Sequence, residues 1–230
     1  ALLIDSAAGW NRRDDHTFRV GFGIVPRKIE DILKTNINFA AIFVLNYECL
    51  KDFIISQIRG FYSEKIFFKN GKMIYKESQQ YKEEVRQLDE NIENASLKWF
   101  MQQGAITQED CEMYDKIRKR RNDIVHKLLE NLGNGFSEYD NELFNKMVSI
   151  YAKMDRWWIN EIEIPTSDEE IPNDYDRDDV YGGEQLILSI INSVILENKG
   201  DEYKKILKKI WKSVEMWAEN TDIDLNWDEK

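Results

Sequence analysis

Along most of the chain, apolar residues recur at three- and four-residue spacing, the period of one face of an α-helix. From about Lys28 to Phe61 they include Ile29, Ile32, Leu33, Ile42, Phe43, Leu45, Leu50, Phe53, Ile54 and Ile58. In the middle of that stretch they lie nearly all round, which predicts a central core helix, with Thr35-Asn36 as the place where it could break. Tyr81, Val85, Leu88 and Ile92, then Leu97, Trp99, Phe100 and Met101 before Gly104, predict one helix or two in tandem over 77–103. Thr107-Gln108-Glu109-Asp110 has the form of a capping box, and Gly133-Asn134-Gly135 is the next break, so a helix is expected over about 107–131. The stripe Leu143, Phe144, Met147, Val148, Tyr151, Met154, Trp157 and Trp158 makes another helix, ending before Pro165. Leu186 to Leu196 and Tyr203 to Trp217 complete the chain as a helical pair.

Two stretches break this period. Phe18, Val20, Phe22 and Ile24 alternate with Arg19, Gly21 and Gly23, which suits a short strand. Ile66-Phe67-Phe68 and Met73-Ile74-Tyr75 flank Lys69-Asn70-Gly71-Lys72, and Asn-Gly between apolar runs predicts a β-hairpin. The expected class is all-α: a helical bundle with a small inserted hairpin and a C-terminal helical pair. Its parts are an N-terminal extension (1–35), a helical core (36–162), an acidic loop (163–183), C-terminal helices (184–219) and an acidic tail (220–230).

Composition supports that picture. Eleven Gly and three Pro in 230 residues are too few for an all-β fold, and no proline interrupts 27–164. The formal charge of −11 argues against a protein that grips nucleic acid over its whole surface. Cys49 and Cys111 show no pairing pattern, and with only His16 and His126 beside them no Cys/His metal cluster is available, so the chain reads as a reducing, cytosolic protein with no metal or cofactor. Thr35 to Tyr47, the longest uncharged run in the first helix, has 13 residues and is too short to span a bilayer. Asp5, Arg12, Arg13, Asp14 and Asp15 leave no room for a signal peptide's apolar core. Between Asp168 and Asp179 seven acids accompany one base, Arg177, a composition that cannot order itself alone.

One segment concentrates positive charge: Arg118-Lys119-Arg120-Arg121-Asn122-Asp123-Ile124-Val125-His126-Lys127. On a helix, Tyr114, Ile117, Ile124 and Leu128 share one arc, and Arg121 falls beside them where a core leucine would be expected. A guanidinium there must be paired, for instance with Glu48, or must face a cleft, because an unpaired buried charge is costly. Asn122 and His126 share a face, whereas Arg121 lies about 140° round from His126 on an ideal helix. A kink, long side-chain reach or a second protomer is needed to bring Arg121 and His126 together.

Arg121-Asn122-Asp123-Ile124-Val125-His126, on a helix of an α-helical domain, resembles the R-x4-6-H motif of the HEPN superfamily (higher eukaryotes and prokaryotes nucleotide-binding). The lead-in Gly104 to Asp110 is similar to the turn and helix start before that motif, and the likeness covers about 36–160. A leucine, Leu128, stands two residues after the histidine, where one class of related toxins has a tyrosine. The resemblance implies metal-independent RNA cleavage, in which the 2′-OH attacks the adjacent phosphate to leave a 2′,3′-cyclic phosphate. It implies His126 as general acid or base, Arg121 on the scissile phosphate and Asn122 orienting one or the other. It further implies a homodimer with a composite cleft, and a bacterial toxin–antitoxin or phage-defence setting with an antitoxin or inhibitor as partner. Glu48 and Lys51 are similar to polar residues that face the motif in many members.

Plainer readings stand beside these. Arg118, Lys119, Arg120 and Lys127 can contact RNA phosphates, but Glu112, Asp115 and Asp123 can also pair with them along the helix. Trp157, Trp158, Trp211 and Trp217 read as core or interface rather than base-stacking groups. Lys204 to Lys212 reads as an ordinary packed amphipathic helix rather than a membrane-surface one. The acidic loop could mask the basic motif as a nucleic-acid mimic. A non-catalytic module of the same type, binding RNA, a nucleotide or a protein, is the alternative function, and the net acidity favours it.

Overall fold

The computed structural model describes residues 11–13, 17–20, 23–69, 72–167, 171 and 175–197. Strands β1 (Asn11–Arg13), β2 (Thr17–Val20) and β3 (Gly23–Pro26) form a small antiparallel sheet in which Arg12 pairs with Phe18 and Phe18 with Val25. The period-2 stretch at 18–24 is thus two strands of a meander rather than one strand. The chain passes directly into α1 (Arg27–Phe61), which runs through Thr35-Asn36 without a break. The boundary expected at 35/36 therefore falls inside a helix. Asn36 turns its side chain to the carbonyl of Leu132, 2.9 Å away, so this polar pair serves a tertiary contact and does not end the helix.

The expected hairpin is β4 (Ser63–Lys69) with β5 (Lys72–Glu77), in a register that pairs Lys69 with Lys72. The stretch 77–103 is two helices, α2 (Gln79–Glu84) and α3 (Ile92–Gln102), separated by a 3-10 turn at Arg86–Leu88. Asn91 caps α3 through its side-chain oxygen, which accepts the backbone N–H groups of Glu93 and Asn94. Then come α4 (Gln108–His126), α5 (Leu128–Asn134) and α6 (Glu138–Trp158). Helix α6 continues through a π-helical turn (Ile159–Glu163) into the short α7 (Ile164–Thr166).

Helix α1 is central, packing against α3, α4, α5 and α6. Phe43, Leu50, Ile54 and Ile58 are fully buried, along with Ala95 and Phe100 of α3, Tyr114, Ile117 and Ile124 of α4, and Met147 and Met154 of α6. Phe53 stacks on Phe100 (6.2 Å between ring centres) and tilts against Tyr151 (5.1 Å), so aromatic contacts tie three helices at one level. Trp158 joins that core, with Trp157 half-buried beside it.

The fold is mostly α-helical with small β elements, in two units, 1–182 and 183–230. The second contains α8 (Gly183–Glu197), covering the first of the two C-terminal helices expected. The second expected helix, the lysine-rich segment within it, Trp211, Trp217 and the acidic tail lie outside the described residues. Among the described residues no helix is long and apolar enough to cross a membrane.

Candidate functional site

A reciprocal capping box starts α4: Thr107 Oγ1 accepts the Asp110 N–H at 3.2 Å, and Asp110 accepts the Thr107 N–H at 2.8 Å. From there Tyr114, Ile117 and Ile124 face the core. Arg121, on the same side, points at α1. One of its terminal nitrogens bonds Glu48, the other donates to Asn122 Oδ1 at 2.9 Å, and the guanidinium lies 5.4 Å from the centre of the Tyr47 ring. The ion pair expected for an arginine at this seam is therefore present, with Arg121 part-buried and Glu48 more exposed. Its Nε is buried without an acceptor.

Beneath that pair is a polar cluster with no signal in the sequence. Glu93 of α3 is buried and accepts hydrogen bonds from Tyr47 of α1 at 2.8 Å and Tyr114 of α4 at 2.7 Å. Burial, then the hydroxyl's interaction with this carboxylate, pushes the Tyr114 pKa upward, so the phenol stays protonated and donates. Tyr47 thus touches both Arg121 and Glu93, and the cluster binds three helices behind the motif.

The other basic side chains of the segment are already partnered. Arg118 donates to Asn94 at 2.7 Å and Asp115 at 2.6 Å, and lies 3.5 Å from Glu93. Arg120 donates to Asp140 at 2.5 Å, Asp123 at 2.6 Å and Asn131 at 2.8 Å. Asp140 is buried and also accepts from Ser137 in the capping box that opens α6, so Arg120 clips α4 to α6. Lys127 pairs with Asp123 at 3.0 Å. Arg118, Arg120 and Lys127 sit in ion pairs within the chain, in line with the plainer reading of the charge run, and Lys119 is exposed.

The helix expected over 107–131 is broken at Lys127, whose φ of −121° and ψ of 38° are not helical. Asn131 holds the break. Buried at the start of the next turn, it donates to the carbonyls of Lys127 (3.0 Å) and Asp123 (3.2 Å) while accepting from Arg120. His126 is the last residue of α4 and is exposed, as is Asn122. Because of the break, Leu128 leaves the buried arc predicted for it and is 44% exposed. With Val125 and Leu132 it lines a 340 Å³ apolar groove against Ile37, Ala41 and Val44 of α1. Leu129 beside it is 86% exposed.

Arg121 and Asn122 touch each other, and Arg121 touches Glu48. His126, facing solvent while Arg121 turns inward, is not brought to them within one chain. The described part of the acidic loop docks elsewhere: Tyr175 donates to Asn160 at 2.8 Å, Arg177 pairs with Glu161, and the Gly182 N–H bonds Asp155 at 2.6 Å. Among the described residues no group of His, Cys, Asp and Glu could hold a metal ion. No family model, no curated protein and no solved structure matches this chain.

Proposed function

We propose that the protein is a HEPN-like, metal-independent endoribonuclease whose active site is completed by a second copy of the chain. The observation that carries the proposal is the division of the motif. Arg121 is fixed by Glu48, Asn122 and Tyr47, while His126 stands free in solvent at a helix end held open by Asn131. The apolar groove at Val125 and Leu128 adjoins His126 on α4, and a two-fold contact over it would set one chain's His126 near the other's motif. In that cleft Arg121 of one copy would hold the phosphate and its developing charge through its fork of donors, and His126 of the other would take the 2′-OH proton and return it to the departing 5′-O.

Incubation with total cellular RNA in EDTA tests this. Cleavage leaving cyclic phosphates, lost in both His126→Ala and Arg121→Ala, is the expected result, and RNA that stays intact with every substrate offered would contradict it. A second reading has its own support: the cations around the motif are neutralised by carboxylates in a chain of charge −11, which suits a module that binds and dimerises without cutting. RNA binding without cleavage, unchanged in both variants, would favour it.

A further inference from the structure

Away from the motif, α6 and its π-helical continuation form the floor of a cleft of 520 Å³, large enough for a small ligand. Lys153, Arg156, Trp157 and Asn160 follow one another along one helical face, with Ala105 and Arg177 among the residues opposite. Most of the polar groups there are already used. Lys153 bonds Asp110 at 2.6 Å, and Arg177 pairs with Glu161. Asn160 spends its amide on the carbonyls of Arg156 (2.8 Å) and Arg177 (3.0 Å) and its oxygen on the Tyr175 hydroxyl, which fastens the loop along the cleft.

Arg156 differs. Six other arginines, Arg59, Arg86, Arg118, Arg120, Arg121 and Arg177, each lie within ion-pair distance of a carboxylate. Among the described residues Arg156 has none, although acids exceed bases by eleven in this chain; its buried Nε, like those of Arg59 and Arg121, has no acceptor. A guanidinium that lines a cleft without a carboxylate is open to pairing, and an anion seated there would supply the missing charge partner. The next residue, Trp157, is held edge-on by Trp99 (6.1 Å, 83°) and Phe100 (6.0 Å, 79°), so the half-buried indole is a fixed wall of the same cleft. A fixed aromatic wall beside an unpaired guanidinium suits a ligand with a planar ring and a phosphate. The π-helical turn directly after it is a further mark of a functional position, since such turns are frequent at functional sites.

We propose that this cleft binds a nucleoside monophosphate, with the phosphate on Arg156 and the base against Trp157. The site is separate from the Arg121–His126 motif and does not depend on the nuclease reading.

Calorimetric titration of the full chain with AMP, GMP, CMP and UMP tests it, beside inorganic phosphate, the matching nucleosides and a 5′-phosphorylated hexaribonucleotide. At least one monophosphate should bind at least tenfold tighter than phosphate or its nucleoside. Arg156→Gln should weaken that binding at least tenfold with the melting temperature unchanged, while His126→Ala leaves it intact. Hexamer binding that is as tight and equally Arg156-dependent would extend the same chemistry to RNA ends. Absence of monophosphate binding, equal binding of inorganic phosphate, or binding unaffected by Arg156→Gln would each overturn the proposal.

Discussion

Arg120 and Arg121 are neighbours of the same type with opposite fates. Arg120 spends its guanidinium on Asp140, Asp123 and Asn131, and its removal leaves a buried carboxylate at the start of α6 without its cation. Arg120→Ala is expected to cost about 3 kcal/mol, read as a lower denaturant midpoint at unchanged slope. The same pair gives a pH signature. Burial alone would push the Asp140 carboxyl up, but the bonds from Arg120 and Ser137 together hold it below its ordinary value. A carboxyl depressed in the folded state adds stability above the unfolded pKa, near 4, and that stability is lost as pH falls through the folded value. Unfolding measured from pH 6 to pH 2 should therefore show a loss of stability in acid that Asp140→Asn reduces. A wild-type slope retained in the variant would assign the acid sensitivity elsewhere. Only part of this was legible in the sequence: the i,i+3 and i,i+4 partners of the basic run, Asp115 and Asp123, could be read from spacing, whereas Asp140 and Asn131 reach it only through the fold.

Helices were the most legible elements, because amphipathic period and capping residues are local properties. The capping box at Thr107, the break at Gly135 with its φ of 79°, and the stripe of α6 all correspond to signals along the chain. The unbroken α1 and the break after His126 were not legible: Asn36 serves a contact across the structure with Leu132, and Asn131 joins the local carbonyl of Lys127 while holding Arg120 of α4. Asn131→Ala should take a second bond from the Lys127 and Asp123 carbonyls, which keep their backbone partners, and loosen the α4–α5 junction, raising amide hydrogen exchange over 124–134 while the core of α6 stays protected. Uniform exchange changes over the whole chain would contradict a local role. Glu93 is the other hidden element tie. Its loss strands two buried tyrosine hydroxyls, so Glu93→Ala is expected to destabilise by about 3 kcal/mol, measured by thermal or denaturant unfolding.

For the molecule as a whole, charge and apolar surface point in different directions. The net acidity opposes a broad electrostatic attraction to RNA, so the proposed cleft would have to be built locally, from Arg121 and a second chain. The side chains beside the motif, Ile37, Val125, Leu128 and Leu129, are exposed and apolar, and form the face on which the proposed second copy would dock. Leu129→Asp changes a residue that contributes little to the core, so it should leave the monomer folded while shifting the sedimentation equilibrium from dimer to monomer. Unchanged mass in that variant would move the interface elsewhere.

The most direct single measurement is a mixing experiment on cleavage. Chains carrying Arg121→Ala and chains carrying His126→Ala are each expected to leave RNA intact in EDTA. If two protomers each retained one full site, or if the site lay within one chain, mixing the two variants would restore nothing. A composite cleft drawing Arg121 from one copy and His126 from the other restores cleavage on mixing, with 2′,3′-cyclic phosphate ends. No recovery from variants that dimerise as the wild type does would contradict a site shared in that way.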